Sequence, residues 1–359
     1  MGSMRHRAIG AAALALLSGC AQEEIGEARY GHDQCQRVAL VDAVTGEAIR
    51  GAEDFALDPA HGRLFFSAYD RRAVEKAARK NASVLPNGGI YSIAIDSVFD
   101  GEVNTITVAP LAAPGDFAGG LHPHGISYDR ENHELVFINR TYQRINRKWV
   151  MTPRLQRIGA NGEIFVGAPS AAPCAANDVL VTNQQTFTSF DHGFCGWRAG
   201  FEDIFNLKRS GLALNGVANI FDRAGFANGL ARSASGDIIL SATRENALVL
   251  FKELSGAVEE KARIDLPGGP DNLSVAFDGG IIAATHPSLW RLGLNRKFGL
   301  GKAPSRIVKV DADKGDVENL FDDRSGKLFS AATVAVETKD GLVAGSVTDA
   351  GMLVCRGGS

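Results

Sequence analysis

Glu53-Asp54-Phe55-Ala56-Leu57-Asp58-Pro59-Ala60-His61-Gly62-Arg63-Leu64-Phe65-Phe66-Ser67 reads as strand, turn, strand. Two apolar runs flank a reversal written in Asp, Pro and Gly, the residues that punctuate hairpins. The pattern returns along the chain. Gly125-Ile126-Ser127-Tyr128 precedes Glu134-Leu135-Val136-Phe137-Ile138, and Gly229-Leu230-Ala231 precedes Ser235-Gly236-Asp237-Ile238-Ile239-Leu240. Leu273-Ser274-Val275 pairs with Asp278-Gly279-Gly280-Ile281-Ile282, and Ala332-Thr333-Val334-Ala335 with Lys339-Asp340-Gly341-Leu342-Val343. The segment at Asn177-Asp178 supplies a sixth unit. Successive units are about 43 to 71 residues apart, the spacing of propeller blades. The expected fold is therefore all-β, a six-bladed β-propeller over residues 35–357.

Composition agrees with one large domain. The 359 residues are 45% hydrophobic, and 41 glycines suit many tight turns. A net charge of −3 excludes a nucleic-acid partner as the ordinary reading. The N-terminus predicts export. Arg5, His6 and Arg7 precede an apolar run from Ala8 to Leu17 that is too short to span a bilayer. Leu17-Ser18-Gly19-Cys20 resembles the lipobox of bacterial lipoproteins. It implies a signal peptide at 1–20, a lipid anchor at Cys20, a tether at 21–34, and a cell-envelope location, with Ala21 favouring the outer membrane.

Two stretches break the strand pattern. Asp70 reads as an N-cap for a helix over Arg71–Lys80, and Gly200–Leu214 carries Phe201, Ile204, Phe205 and Leu207 at helical spacing. Both read as inserts on one rim. The basic run Arg140, Arg144, Arg147, Lys148, Arg154 and Arg157 reads as a solvated strand face. Cys35 and Cys355 lie at the two ends of the domain, where a disulfide would close the ring of blades. Cys174 and Cys195 are either a second bridge or two buried thiols.

The innermost strand of each blade lines a central channel, so residues at equivalent points of different blades converge. Glu53, Asn177, Asn228, Asp271 and Asn272 then offer five side-chain oxygens and two negative charges. Ca²⁺ takes six to eight hard oxygens, whereas Zn²⁺ prefers nitrogen and sulfur. Asp54 and Asp178, with a backbone carbonyl at Ile126, form a second set for a buried Ca²⁺.

These residues carry a resemblance. Glu53-Asp54, Pro123-His124-Gly125-Ile126-Ser127, Asn177-Asp178-Val179, Phe226-Ala227-Asn228-Gly229, Asp271-Asn272-Leu273-Ser274-Val275, His286-Pro287 and Thr333-Val334-Ala335 resemble, in order, the paraoxonase family of calcium-dependent lactonases and arylesterases. The resemblance implies that Glu53, Asn177, Asn228, Asp271 and Asn272 hold a catalytic calcium, and Asp54, Asp178 and Ile126 a structural one. It implies a role for His124 in activating water, a pocket formed by Phe226 and His286, a Cys35–Cys355 bridge, and a small hydrophobic lactone or ester as substrate. One position departs. The family's second histidine is replaced by Arg140, which cannot act as a base at neutral pH. GxSxG is absent, so a covalent serine mechanism is not expected. Two alternatives keep the propeller: a gluconolactonase-like hydrolase of sugar lactones, and a non-enzymatic envelope protein that binds a partner.

Overall fold

The hairpin that begins at Glu53 forms as expected. Strands Ala52–Asp58 and Arg63–Ala68 pair antiparallel. Asp58 closes the turn, accepting from the Ala60 amide and lying 2.7 Å from His61 Nδ1, and Gly62 supplies the left-handed φ of 58°. The computed structural model describes residues 25–101, 103–164, 170–182, 184–216 and 218–357. Its sheets make a six-bladed β-propeller.

Blade 1 has three strands, ending with Gly89–Ala94. Blades 2 to 5 have four each, with innermost strands Pro123–Asp129, Ala176–Thr182, Ala227–Arg232 and Gly269–Val275. Blade 6 mixes both chain ends. Ala332–Thr338, Gly341–Ser346 and Met352–Arg356 are followed across the sheet by Cys35–Asp42 and then Thr105–Val108. Cys35 stands opposite Cys355 in the antiparallel register, and their disulfide joins residues 320 apart. Cys174 and Cys195 are also bridged, which settles the open alternative. Fully buried phenylalanines stand in each of the first five blades: Phe65 and Phe66 in blade 1, then Phe137, Phe187, Phe251 and Phe321. Each contributes about 1.5–3 kcal/mol of apolar transfer.

One feature recurs in all six innermost strands. Pairing with the second strand shifts register between Ala52 and Asp54, Pro123 and Ile126, Ala176 and Val179, Ala227 and Leu230, Pro270 and Leu273, and Ala332 and Val334. A bulge re-aims the residues it contains. The six contain Glu53, His124-Gly125, Asn177-Asp178, Asn228-Gly229, Asp271-Asn272 and Thr333. Two glycines allow the strands to close on each other. A Cβ at Gly125 would stand 2.4 Å from the Asp178 Cα, and one at Gly229 2.5 Å from the Asn272 Cα.

Three helices stand between blade strands. Helix α1 (Arg71–Arg79) is capped by Asp70, which accepts from the Ala73 amide. Helix α2 (Ala199–Phe205) is shorter than the sequence suggests. Asn206 turns left-handed at φ 49° and ends it, and Ser210–Leu214 is instead a strand of blade 3. Helix α3 (Leu289–Phe298) was not expected from the sequence. The basic run is not wholly solvated. Arg140 is buried, and Arg144 stacks on Trp149 while donating to the Ala82 carbonyl.

The described part of the expected tether is fastened to blade 5. The Arg29 and Tyr30 amides donate to the Asn319 and Leu320 carbonyls, and Tyr30 is buried. The predicted signal peptide and Cys20 lie outside the described residues. Among those residues no helix is long and apolar enough to cross a membrane.

Candidate active site

The bulged residues meet at one end of the channel. Glu53, His124, Asn177, Asn228, Asp271, His286 and Thr333 line a cavity of about 200 Å³. Asn272, also buried, donates through Nδ2 to the Glu53 carbonyl at 3.0 Å, and Thr333 Oγ1 donates to the same oxygen at 2.8 Å. Blades 5 and 6 thus fix the backbone of blade 1 at the residue that carries the central carboxylate.

That carboxylate is held from two sides. Glu53 Oε2 lies 2.5 Å from His124 Nδ1, and Arg71 Nη2 stands 3.4 Å from Glu53. Burial opposes ionisation of Glu53, but Arg71 and then His124 keep its pKa well below the usual carboxylate range. Arg71 Nη2 also lies 2.9 Å from His124 Nε2. The same guanidinium nitrogen is 3.1 Å from Nδ1; with the proton on Nδ1, that atom donates to Glu53 and Nε2 is the one left to accept from Arg71. Burial, then the charge of Arg140, lowers the His124 pKa to about 3, so the ring is neutral at physiological pH.

Across the cavity, His286 Nε2 is 2.7 Å from Asp271 Oδ2, and Asn228 Nδ2 donates to Asp271 Oδ1 at 2.5 Å. His286 Nδ1 and Asn228 Oδ1 are buried without a partner. An orphaned amide oxygen on a residue that touches a buried carboxylate is what a hard cation would satisfy. Among the described residues no three His, Cys, Asp or Glu side chains stand close enough to grip a metal by themselves. A cation here would depend on the amide oxygens of Asn177, Asn228 and Asn272, a donor set that suits calcium.

Deeper in the channel Asp54 and Asp178 form the second expected set. Asp54 accepts from the Phe55 and Ile126 amides, and Asp178 from those of Val179 and Leu230. Burial and then the neighbouring Asp178 charge push the Asp54 pKa well up. Burial pushes that of Asp178 up as well, against those amides. Two enclosed carboxylates this close need either a shared proton or a cation.

The cavity mouth is built by the helices. Arg71 comes from α1; Leu289, Leu292, Gly293, Arg296 and Lys297 from α3; Asp203 from α2. Phe226 lines the wall as expected, at φ 63°, with the Arg244 guanidinium over its ring and His192 edge-on to it. His192 is clamped between Asp191 at 2.6 Å and Asp203 at 2.7 Å. Sequence reasoning missed the cations from α1 and α3, because a helix pattern does not say which way a rim arginine points. Arg140 lies behind the site, its Nε unpartnered and its Nη2 4.0 Å from Asp191.

Residues 177–355 match the family model described as Arylesterase. The C-terminal half of the chain is arylesterase-like. This is the relationship to which the sequence resemblance pointed, and at family level it supports a hydrolase of esters or lactones. No curated protein matches the sequence. A gluconolactonase from Xanthomonas campestris superposes with TM-score 0.52 at 15% identity, covering 93% of this chain and 98% of its own. A PQQ-bound aldose sugar dehydrogenase from Streptomyces coelicolor gives 0.51 at 12%, covering 90% and 97%. A luciferin-regenerating enzyme gives 0.50 at 10%, covering 91% and 94%. At these identities the arylesterase-like chain shares their propeller and no more.

Proposed function

We propose that this protein is a calcium-dependent hydrolase of lactones or aryl esters, working at the mouth of the channel. The observation that carries this reading is the convergence of Glu53, Asn177, Asn228 and Asp271 on one cavity with two histidines. Glu53, Asn177, Asn228, Asp271 and Asn272 would hold the catalytic ion, and Asp54, Asp178 and the Ile126 carbonyl a structural one. When bound, the upper ion would supply Lewis-acid polarisation of the carbonyl.

The chain's own residues do the rest. Phe226, Leu289, Leu292 and Val347 give the acyl portion an apolar wall. The neutral His124 ring, a weak base while burial and Arg140 hold its pKa low, offers Nε2 to the proton of the attacking water, with Glu53 keeping Nδ1 protonated, and passes that proton to the leaving alkoxide as the ester bond breaks. Arg71 occupies that Nε2 in the structure described, so it must withdraw before His124 can accept. The His286–Asp271 pair, with Nδ1 of His286 unpartnered, is a second acceptor in the same cavity. Lipidation at Cys20 would place the enzyme on the bacterial cell envelope.

The test is hydrolysis of a medium-chain γ- or δ-lactone and of phenyl acetate by the purified protein, before and after EGTA, with calcium restored. Activity lost to EGTA and recovered with calcium supports the reading. A folded, calcium-replete protein with no activity on either class overturns it.

A further inference from the structure

The cavity lining carries four acids, Glu53, Asp191, Asp203 and Asp271, and four cations, Arg71, Arg244, Arg296 and Lys297, but they are not matched one to one. Asp203 is paired with Arg244, and Asp191 with His192. Glu53 and Asp271 belong to the ring at the cavity floor. That leaves Arg71, Arg296 and Lys297 on the lining, with Arg140 behind them. Their partners are distant or shared. Arg71 meets its one carboxylate, Glu53, at 3.4 Å, and its other partners, Tyr69 Oη at 3.2 Å and the His124 ring, are neutral. Arg296 reaches Glu75 at 3.8 Å, a carboxylate already shared with Arg79 at 3.5 Å. Arg140 is 7% exposed, holds Asp191 only at 4.0 Å, and leaves its Nε unsatisfied. Burial and then the charge of Arg71 lower the Arg296 pKa, the mark of guanidiniums crowded together.

Arg71 is buried, whereas the Arg296 side chain is a third exposed at the cavity mouth, and guanidiniums so placed can meet an anion in a planar, charge-assisted fork. The apolar wall of Phe226, Leu289, Leu292 and Val347 faces the same space. We infer that the substrate is an ester or lactone whose apolar body carries a carboxylate or phosphate, with the anion bound by Arg71 and Arg296. The inference rests on the hydrolase reading above and narrows its substrate class. It also gives Arg71 a use. An incoming anion draws the guanidinium away from His124 Nε2 and frees that nitrogen to accept a proton. The replacement of the family's second histidine by Arg140 fits the same specificity, since it adds a fixed charge behind the pocket.

Two experiments separate this inference from its premise. The first compares kcat/KM for phenyl acetate and monophenyl succinate, which share a leaving group and differ by one carboxylate. A preference of about tenfold or more for the anionic ester is expected, since a charge-assisted contact is worth at least that much. It should fall about fivefold or more in Arg296→Gln and with added salt. Equal turnover of the two esters, or a preference untouched by Arg296→Gln, overturns the inference. The second is calorimetry of EGTA-treated protein with 4-phenylbutyrate and 4-phenylbutan-1-ol. Tighter binding of the acid, weakened by Arg296→Gln, supports the anion site even if neither ester is hydrolysed, in which case only the hydrolase reading fails. No difference between acid and alcohol sinks the anion site, whatever the catalytic result.

Discussion

Glu53 Oε2 and His124 Nδ1 stand 2.5 Å apart, bridging blades 1 and 2 at the head of the channel. Arg71 closes the group from α1. Replacing Glu53 by Gln removes the charge that holds both partners. Arg71 is then a buried cation without its carboxylate, a defect that costs about 3–5 kcal/mol. Glu53→Gln should lower the melting temperature, reduce ester hydrolysis by 100-fold or more, and blunt the thermal shift on adding calcium. A variant that melts like the parent and keeps its calcium response would show that Glu53 neither anchors Arg71 nor holds the ion.

Asp54 and Asp178 make a second prediction through their mutual repulsion. In metal-free protein the pair is a liability, because both carboxylates are enclosed and, among the described residues, neither is hydrogen-bonded to a cationic side chain. Asp54→Asn should therefore leave the EGTA-treated protein as stable as the parent or more so. It should also weaken the stabilisation by calcium, which for a ligand at 100 times its Kd is about 2.7 kcal/mol. Differential scanning calorimetry with and without calcium reads both. Full calcium stabilisation in Asp54→Asn would remove the lower ion from the proposal.

The ring's closure was legible because both its parts are local in character. Hairpins announce themselves through turns such as Asp58–Gly62, and cysteines at 35 and 355 stand where a propeller must join its ends. The convergence of Glu53, Asn177, Asn228 and Asp271 was legible for the same reason: one bulge per blade, repeated. What surrounds the ring was not. Arg71 was assigned to a helix correctly, but its entry into the channel depends on how α1 leans on the neighbouring blades. Helix α3 is nearly as apolar on one side as the other, so no period marked it. Nor does the local sequence show what holds His192, since Asp203, its second partner, arrives from a helix eleven residues on.

Reducing the Cys35–Cys355 bridge releases the longest loop in the molecule. The chain-entropy model gives at most about 5 kcal/mol for a loop this long. Cys355→Ser should lower the denaturant midpoint markedly and let the 35–42 strand exchange its amides faster. Cys174 and Cys195 close a loop of only 21 residues, so Cys174→Ser should cost less, about 3 kcal/mol. Urea titrations of the two variants check the order, and a larger loss from Cys174→Ser would contradict it.

His192 gives a pH dependence with a definite sign. Burial opposes its charge, but hydrogen bonds to Asp191 and Asp203 raise its pKa to about 9, above the unfolded value of about 6.5. A raised pKa contributes stability that is complete below about 6.5 and is lost as pH rises through about 9. The link between α2 and the body of blade 3 should therefore loosen between pH 7 and pH 10. Proteolysis or hydrogen exchange of 199–205 should accelerate over that range beyond the intrinsic pH effect. In His192→Asn it should be fast throughout and follow only the intrinsic trend; an unchanged pH profile in that variant would assign the loosening to another group.

Gly125 and Gly229 set the tightest steric limit in the channel. A Cβ at either would sit 2.4–2.5 Å from backbone atoms of the next blade's innermost strand, where no side chain can yield. Gly125→Ala or Gly229→Ala must push two blades apart, and overpacking of this kind costs about 1–3 kcal/mol or more. Because the displaced backbone carries Asp178 or Asn272, calcium affinity should fall together with stability. Gly200→Ala is the matched control: its Cβ meets nothing within 4 Å, and alanine favours helix α2. Melting curves of the three variants with calcium present decide the matter. If Gly229→Ala melts and binds calcium like Gly200→Ala, the close approach of blades 4 and 5 does not set the geometry of the ring.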